Sequence, residues 1–189
     1  MSSPPDPSAE RSSFARLTKR EVDELVIEHL PAMLRFARRL TGDAHTAEEV
    51  VQQTLCRVFD KWSTCQGAET FRAWMMQLLV NIDRDRRRRV RPASHVSSEE
   101  IHDLRPRPEE KAIGDELHNA IRTAIDRLPA RQREVALLKY GEEDFDVVTI
   151  AKVLEISTAN VYSCLHLARK SIAEAIDYHS ADQPIEKNI

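Results

Sequence analysis

The stretch TIAKVLEISTANVYSCLHLARK, residues 149 to 170, decides the fold. It begins with the apolar spacing of a short helix and continues, after a tight turn, with that of a longer one. Ser157 stands between the two, where a serine hydroxyl caps a helix start well. Val161, Leu165 and Ala168 then recur every three or four residues and are expected to face inward. A helix, a tight turn and a second helix form a helix-turn-helix, an arrangement that can lay its second helix in the major groove of DNA.

The residues before this stretch continue the helical pattern. An apolar-periodic segment starts near Asp115, and Pro129 then breaks the chain and opens a helix with the sequence ARQREVALLKY. The acidic loop GEEDF separates that helix from the helix-turn-helix. The apolar face of the first segment consists of Leu117, Ile121, Ala124 and Leu128. These elements predict a small helical domain over residues 115 to 177.

A first helical block is predicted upstream, over residues 21 to 91. From Glu21 the apolar spacing is helical, and Gly42 is a natural stop. Thr46 followed by Glu49 has the pattern of a capping box, so we expect a second helix to begin at Thr46. The apolar face of the first helix consists of Leu25, His29, Leu30, Met33, Ala37 and Leu40. That of the second consists of Val51, Leu55, Val58 and Trp62.

The stretch NIDRDRRRRV, residues 81 to 90, ends a third predicted helix. The run Arg86 to Arg89 falls at its C-terminal end, where cations suit the helix dipole. The apolar stripe consists of Phe71, Trp74, Leu78 and Ile82, so Phe71 and Trp74 are expected in the core. The face expected to point outward consists of Arg72, Gln77, Asn81, Arg84 and Arg88. On composition alone, the arginine run is also compatible with a nuclear-localisation signal.

The chain is therefore predicted to be all-α, with two small helical domains joined by a flexible linker. Residues 1 to 20 are rich in Ser and Pro and are predicted to be a disordered tail. Residues 92 to 114 contain three prolines without sustained periodicity and form the predicted linker, and residues 178 to 189 are a predicted C-terminal tail. With only 4 glycines and 5% aromatic residues, a β-sandwich or barrel is disfavoured.

Charge and cysteine content exclude several classes of protein. The net charge is −3, so any nucleic-acid surface must be a local one. Cys56, Cys65 and Cys164 lie far apart, which fits neither a disulfide framework nor a zinc site and is typical of a reduced compartment. No apolar run reaches the roughly 18 residues of a membrane span. We expect a cytoplasmic protein without membrane insertion.

Enzymatic activity has no support in the sequence. No Ser/His/Asp or Cys/His arrangement occurs in a motif context, and the chain has neither a Walker loop nor a dinucleotide fingerprint. We therefore expect no catalytic residue, no metal, no cofactor and no small-molecule substrate.

In order and spacing, the two blocks resemble the extracytoplasmic-function (ECF) sigma factors of bacteria, a group of the sigma-70 superfamily. The segment LPAMLRFARRLTGDAHTAEEVVQQTLCRVFDKW looks like the part that binds the polymerase clamp helices. FRAWMMQLLVNIDRDRRRR resembles the family stretch FRAWLYRIARNLALDRLRR, which binds and opens the −10 promoter element. RLPARQREVALLKY, followed by IAKVLEISTANVYSCLHLARK, resembles the part that recognises the −35 element.

The resemblance implies a sigma factor that directs core RNA polymerase to promoters and assists their opening. The implied partners are the β′ clamp helices and β flap of core polymerase, promoter DNA and an anti-sigma factor. The implied polymerase-binding residues are Glu48, Glu49, Gln52, Gln53 and Arg57. This acidic and amide face would pair with a basic partner helix at a polar interface. On spacing alone, this face is also compatible with an ordinary solvated helix.

Two sets of residues are implied for DNA. For the −10 element they are Arg72, Gln77, Asn81, Arg84, Arg86, Arg87, Arg88 and Arg89, since arginines neutralise phosphates and Asn81 matches the family's asparagine. We expect Asp85 to orient neighbouring arginines. For the −35 element they are Ser157, Thr158, Ala159, Tyr162, Ser163, His166, Arg169 and Lys170.

Several residues depart from the family pattern. Gln77 and Val80 replace commonly basic positions, and Glu155 replaces a turn glycine, so it is expected to carry a positive φ. Tyr162, Cys164 and Leu167 stand where Lys, Arg and Arg are frequent. Residues 115 to 176 hold ten acidic and eight basic side chains, which puts tight −35 binding in doubt.

Two alternative functions stay open. A stand-alone regulator would use only the helix-turn-helix and would bind specific duplex DNA by itself, which leaves the first block unexplained. A degenerate sigma-like interaction module would bind polymerase or an anti-sigma factor without recognising promoters, and the low charge of the second block favours it.

Overall fold

The computed structural model describes residues 17–90, 115–141 and 144–181, and these ranges contain helices and no strand. The helices are α1 (Lys19–Thr41), α2 (Ala44–Lys61), α3 (Ala68–Val90), α4 (Asp115–Asp126), α5 (Ala130–Tyr140), α6 (Val147–Leu154) and α7 (Thr158–Ala181). A 3-10 turn, Trp62–Thr64, follows α2. The predicted all-α fold is confirmed. The predicted linker and most of both predicted tails lie outside the described residues.

The first helix begins earlier than its apolar pattern indicates. The Thr18 hydroxyl accepts a hydrogen bond from the Glu21 N–H at 3.3 Å, and the Thr18 N–H donates to Glu21 Oε2 at 2.6 Å. This reciprocal pair is a capping box, and its hydrogen bonds from Thr18 lower the pKa of Glu21. The tail predicted for residues 1 to 20 therefore extends too far, because Leu17 is already buried.

The turn between α1 and α2 corrects a second prediction. Gly42 ends α1 with φ 73°, at the stop that its sequence indicates. Asp43, not Thr46, caps α2, since its Oδ2 accepts a hydrogen bond from the Thr46 N–H at 2.7 Å. The capping box predicted at Thr46 and Glu49 is therefore wrong. An acceptor three residues earlier satisfies the first N–H groups, and the helix starts at Ala44.

The core of the first domain lies between α1, α2 and α3. Its centre is formed by Met33, Val50, Val58, Phe71 and Leu79, each at most 1% exposed. Full burial of a side chain of this size stabilises a fold by about 1.5–3 kcal/mol. Phe71 thus has the core position expected for it. Trp74 is half-buried and packs against Phe71 with ring centroids 5.7 Å apart.

The second domain consists of α4 to α7 around a core of Leu138, Ile150, Leu154, Val161 and Leu165, each at most 2% exposed. The turn between α6 and α7 has the predicted form. Glu155 adopts φ 56° and ψ 47°, a left-handed conformation that costs a non-glycine residue about 1 kcal/mol. The Ser157 hydroxyl accepts a hydrogen bond from the Asn160 N–H at 3.2 Å. Helix α7 continues to Ala181, beyond the predicted start of the C-terminal tail at residue 178.

The two domains pack on each other, α3 against α6 and α1 against α5. This packing corrects the expectation of an outward face on α3. Arg72, Gln77, Asn81 and Arg84 are half-buried, and Arg88 alone of that predicted set is exposed. The face that the sequence assigns to DNA is therefore largely covered by the second domain.

Candidate polymerase and nucleic-acid interfaces

One face of α2 is polar and open to solvent. Every residue predicted to bind polymerase is exposed, namely Glu48, Glu49, Gln52, Gln53 and Arg57. Arg38 Nη2 lies 3.7 Å from Glu48 Oε1, and His45 Nε2 lies 3.2 Å from Glu49 Oε1. Exposed pairs of this kind contribute at most about 1 kcal/mol, so they hold the two carboxylates only weakly. The face presents acidic and amide acceptors that suit a basic partner.

The N-terminal half of α7 and the turn before it form a second open face. Every residue predicted for the −35 element is exposed, namely Ser157, Thr158, Ala159, Tyr162, Ser163, His166, Arg169 and Lys170. The Arg169 Nε donates a hydrogen bond to the Tyr140 hydroxyl at 2.6 Å, which fixes this guanidinium beside α5. Lys170 Nζ lies 4.0 Å from the exposed Glu174 carboxylate. This surface is polar and has few cations.

The predicted −10 residues of α3 have a different environment, because Glu134 of α5 lies among them. Arg84 Nη2 donates to Glu134 Oε2 at 2.6 Å, and Arg87 Nη2 donates to Glu134 Oε1 at 2.7 Å. Arg131 Nη1 lies 3.4 Å from Glu134 Oε2. The Glu134 side chain is only 2% exposed, so its hydrogen bonds with Arg84 and Arg87 are buried, charge-assisted contacts between the two domains. Arg131 lies on the same helix as Glu134.

Asp83 is a structural residue that the sequence analysis missed. Its side chain is fully buried and lies 3.0 Å from Arg86 Nη2 and 2.9 Å from Arg87 Nε. Asp85, expected to orient arginines, is exposed and lies only 3.7 Å from Arg88 Nη1. A signal for Asp83 was present, since it precedes Arg86 and Arg87 by three and four residues, the spacing of neighbours on a helix.

The remaining polar residues of the covered face also contact the second domain or one another. Gln77 Nε2 donates to Glu155 Oε1 at 2.9 Å. Asn81 Oδ1 accepts a hydrogen bond from Arg84 Nη1 at 3.4 Å. The Arg72 guanidinium lies 4.5 Å from the centre of the ring that precedes α6, that of Phe145. Within the predicted −10 set, these contacts engage both amide groups and the half-buried arginines, whereas Arg88 and Arg89 remain exposed.

A second charged contact joins α1 to α4. Arg39 Nη2 lies 3.7 Å from Asp126 Oδ1, and both groups are partly buried. Burial raises the pKa of Asp126 and lowers that of Arg39. The attraction between the two charges shifts both pKa values in the opposite direction. Desolvation therefore outweighs attraction in this pair. Burial also lowers the pKa of Arg133, whose Nη2 donates to the Leu128 carbonyl at 3.1 Å.

Among the described residues, no group of three or more His, Cys, Asp or Glu side chains is arranged to hold a metal ion. Burial raises the pKa of the Cys164 thiol, which donates to Asn160 Oδ1 at 3.6 Å, so this cysteine is poorly suited to act as a reactive thiolate. Within the described ranges, none of the helices combines the length and the apolarity that crossing a membrane requires.

Two family models match the chain. The model of sigma-70 region 2 matches residues 25–92, and that of sigma-70 region 4 matches residues 118–172. The ECF RNA polymerase sigma factor SigL of Mycobacterium tuberculosis is 34% identical over 151 residues, which are 77% of this chain and 82% of SigL. The chain belongs to the ECF sigma factors of the sigma-70 family. The region 2 match contains every residue predicted for polymerase and the −10 element, and the region 4 match contains those predicted for the −35 element.

Further comparisons extend this assignment. The ECF sigma factor SigE of Mycolicibacterium smegmatis is 29% identical over 164 residues, which are 85% of this chain but only 63% of that relative. The sigma factor RpoE of Bartonella quintana, solved in complex with the anti-sigma factor NepR, superimposes with a TM-score of 0.62 at 24% identity, covering 87% of this chain and 99% of RpoE. That likeness concerns the fold. Membership of the family makes this chain a sigma factor that directs promoter selection in transcription initiation.

Proposed function

We propose that this sigma factor docks on the β′ clamp helices of core RNA polymerase through the polar face of α2 and holds promoter DNA with two helices, α3 at the −10 element and α7 at the −35 element. The observation that carries the proposal is that each domain presents an open polar face, on α2 and on α7, built from residues assigned to these contacts. The second domain would also contact the β flap. The protein would act in the cytoplasm.

At the −10 element, the proposal gives the arginines and Asn81 different tasks. Guanidinium groups pair with phosphates and release counterions, so they supply affinity that falls with salt. Asn81 lies upstream on the same helix and would hydrogen-bond an unpaired base, which an amide can do through both donor and acceptor atoms. Arg88 and Arg89 are exposed and available for the first phosphate contacts.

At the −35 element, the proposed contact surface of α7 carries few positive charges. Arg169 and Lys170 are the cations in the α7 set, so we expect few phosphate contacts there. Each contact changes the slope of log affinity against log salt by about 0.9 on duplex DNA. Placement of the second domain would then depend more on polymerase contacts than on DNA alone.

The family relationship and the B. quintana complex support an anti-sigma factor as a further partner. A degenerate interaction module is the second candidate function, because Glu134 occupies two of the arginines that the −10 contact needs.

Reconstitution with bacterial core polymerase tests the proposal. We expect the full chain to co-elute with core polymerase and to initiate transcription from a library of promoter fragments. Glu49→Lys combined with Gln53→Lys reverses the charge character of the α2 face and is expected to weaken association at least about tenfold. Glu24→Lys on α1 is the matched control and is expected to leave it unchanged.

The alternatives predict other outcomes. Association without initiation would support the interaction module. No association, together with specific duplex binding by the chain alone, would support a stand-alone regulator.

A further inference from the structure

The contact between the two domains contains a cluster of buried charges that spans both of them. We call it the latch and define it as Asp83, Arg84 and Arg87 of α3 with Glu134 of α5. Asp83 is fully buried and Glu134 is 2% exposed, whereas the Arg84 and Arg87 side chains are 16% and 27% exposed. Both carboxylates are thus enclosed. The Arg84 guanidinium contacts Glu134, and that of Arg87 contacts both Asp83 and Glu134.

Helix α6 adds a further negative feature beside the latch. The carbonyl oxygen of Leu154, the last residue of α6, lies 3.5 Å from Arg84 Nη1 and 3.4 Å from Arg131 Nη1. The C-terminal end of a helix carries partial negative charge and attracts cations. The second domain therefore presents to α3 a carboxylate and a helix C-terminus, which together match the arginine face.

These contacts use the same N–H groups that a DNA phosphate would use. Arg84 and Arg87 direct their donors at Glu134 oxygens at 2.6–2.7 Å, and a phosphate oxygen would need those donors at similar distances. In the same domain contact, Gln77 Nε2 donates a hydrogen bond to Glu155 Oε1 at 2.9 Å. Carboxylate and phosphate therefore compete, and closure of the domains is incompatible with full occupation of this face by DNA.

We propose that the described arrangement is a self-inhibited closed state of the free sigma factor, in which Glu134 takes the place of a DNA phosphate on Arg84 and Arg87. The proposal rests on the proposed function of α3 in −10 binding. Core polymerase and promoter DNA would bind the open state and shift the population toward it. When the competent state is a small fraction, the apparent affinity of the free protein for DNA is reduced by that fraction.

Glu134→Gln in the full chain tests the latch, because it removes the charge and retains the shape. The matched control is Glu24→Gln, the same change at an exposed residue of α1 whose partner is Arg20. The probe is a fluorescent oligodeoxythymidine of about 20 nucleotides, which presents phosphates without a promoter sequence. Small-angle scattering of the same samples reports the domain arrangement.

We expect Glu134→Gln to bind the oligonucleotide at least about tenfold more tightly than the unaltered chain and to have a larger radius of gyration. The control should change neither quantity. Circular dichroism checks that the helices persist. Should Glu134→Gln lose helicity, Glu155→Gly is the second variant, since it breaks the Gln77 contact between the domains, and smaller increases in oligonucleotide affinity and radius of gyration are expected of it.

The latch is overturned if a folded variant binds the oligonucleotide like the unaltered chain, or if the unaltered chain is already extended in scattering. Reconstituted transcription separates this failure from failure of the proposed function. If the chain initiates transcription with core polymerase but Glu134→Gln has no effect on the free chain, the closed state is ruled out and the proposed function is retained. If Glu134→Gln has a larger radius of gyration but binds the oligonucleotide no more tightly, self-inhibition is ruled out, and Glu134 only holds the two domains together.

Discussion

Gln77 of α3 donates a hydrogen bond from Nε2 to Oε1 of Glu155, 2.9 Å away in the turn of the helix-turn-helix. Both residues depart from the family pattern, Gln77 at a commonly basic position and Glu155 at a turn glycine. Their pairing joins the two domains through these departures. Glu155 therefore contributes to the contact between the domains, although its left-handed conformation is unfavourable within its own domain.

Glu155→Gly is expected to stabilise the second domain. Glycine adopts φ 56° without a steric penalty, so the change removes strain of about 1 kcal/mol and loses only an exposed hydrogen bond. The thermal unfolding midpoint should rise by about 2–4 °C. Glu155→Gln keeps both the strain and an acceptor for Gln77 and should leave the midpoint unchanged. A lower midpoint for the glycine variant would mean that the Gln77 contact outweighs the strain.

Asp83→Asn is expected to destabilise the chain by about 2–3 kcal/mol, because two guanidinium groups lose a buried counter-charge. The midpoint of urea unfolding measures the change. Asp85→Asn makes the same chemical change two residues away on the exposed side of α3 and should stay within about 0.5 kcal/mol of the unaltered chain. Equal effects of the two substitutions would contradict the structural role of Asp83.

The Arg39–Asp126 pair is expected to be replaceable by apolar residues. Desolvation shifts the pKa of each partner toward its neutral form, so the charges gain little from burial together. Asp126→Leu alone leaves Arg39 without its counter-charge and should cost about 1 kcal/mol or more. Combining it with Arg39→Met should restore the free energy of unfolding or raise it. A double variant less stable than the unaltered chain would show that the ion pair is net stabilising.

Stability at acidic pH is expected to depend on Asp146. Its carboxylate caps α6 by accepting from the Thr149 N–H at 2.6 Å, and the hydrogen bonds from Thr149 lower its pKa below the ordinary 3.8. A lowered pKa in the folded state means that the contribution is present above pH 3.8 and is lost as pH falls through the folded value. Asp146→Asn retains an acceptor but does not titrate. Unfolding free energies measured from about pH 5 downward should therefore fall less steeply in this variant, and parallel curves would count against the assignment.

Local sequence signals predicted much of each domain. Gly42 as a helix stop, Ser157 as a cap and the positive φ of Glu155 depend on neighbours within a few residues, and all three occur in the structure. The start of α2 was misplaced because Asp43 and Thr46 both offer an acceptor, and sequence alone does not rank them. The family stretch predicted which helices carry function, and that assignment stays a prediction.

The contact between domains was not predictable from these signals. Glu134 lies 50 residues from Arg84 in the chain, and no local periodicity encodes a pairing at that separation. The polar stripe of α3 has the spacing of a solvated face, and only the packing of α6 and the position of Glu134 show that it is covered. A polar helix face predicts that polar groups meet there and leaves open whether the partner is water, DNA or another part of the same chain.

Mapping transcription start sites with reconstituted polymerase is the most direct test of the central claim, that this sigma factor selects promoters through α3 and α7. Core polymerase with the full chain would transcribe a promoter library, and the start sites would be sequenced. We predict start sites that share a motif at the −10 position, with a weaker one at −35, and fewer of these start sites when the exposed Arg88 and Arg89 are changed to alanine. Transcripts no more frequent or more specific than those of core polymerase alone would contradict the account.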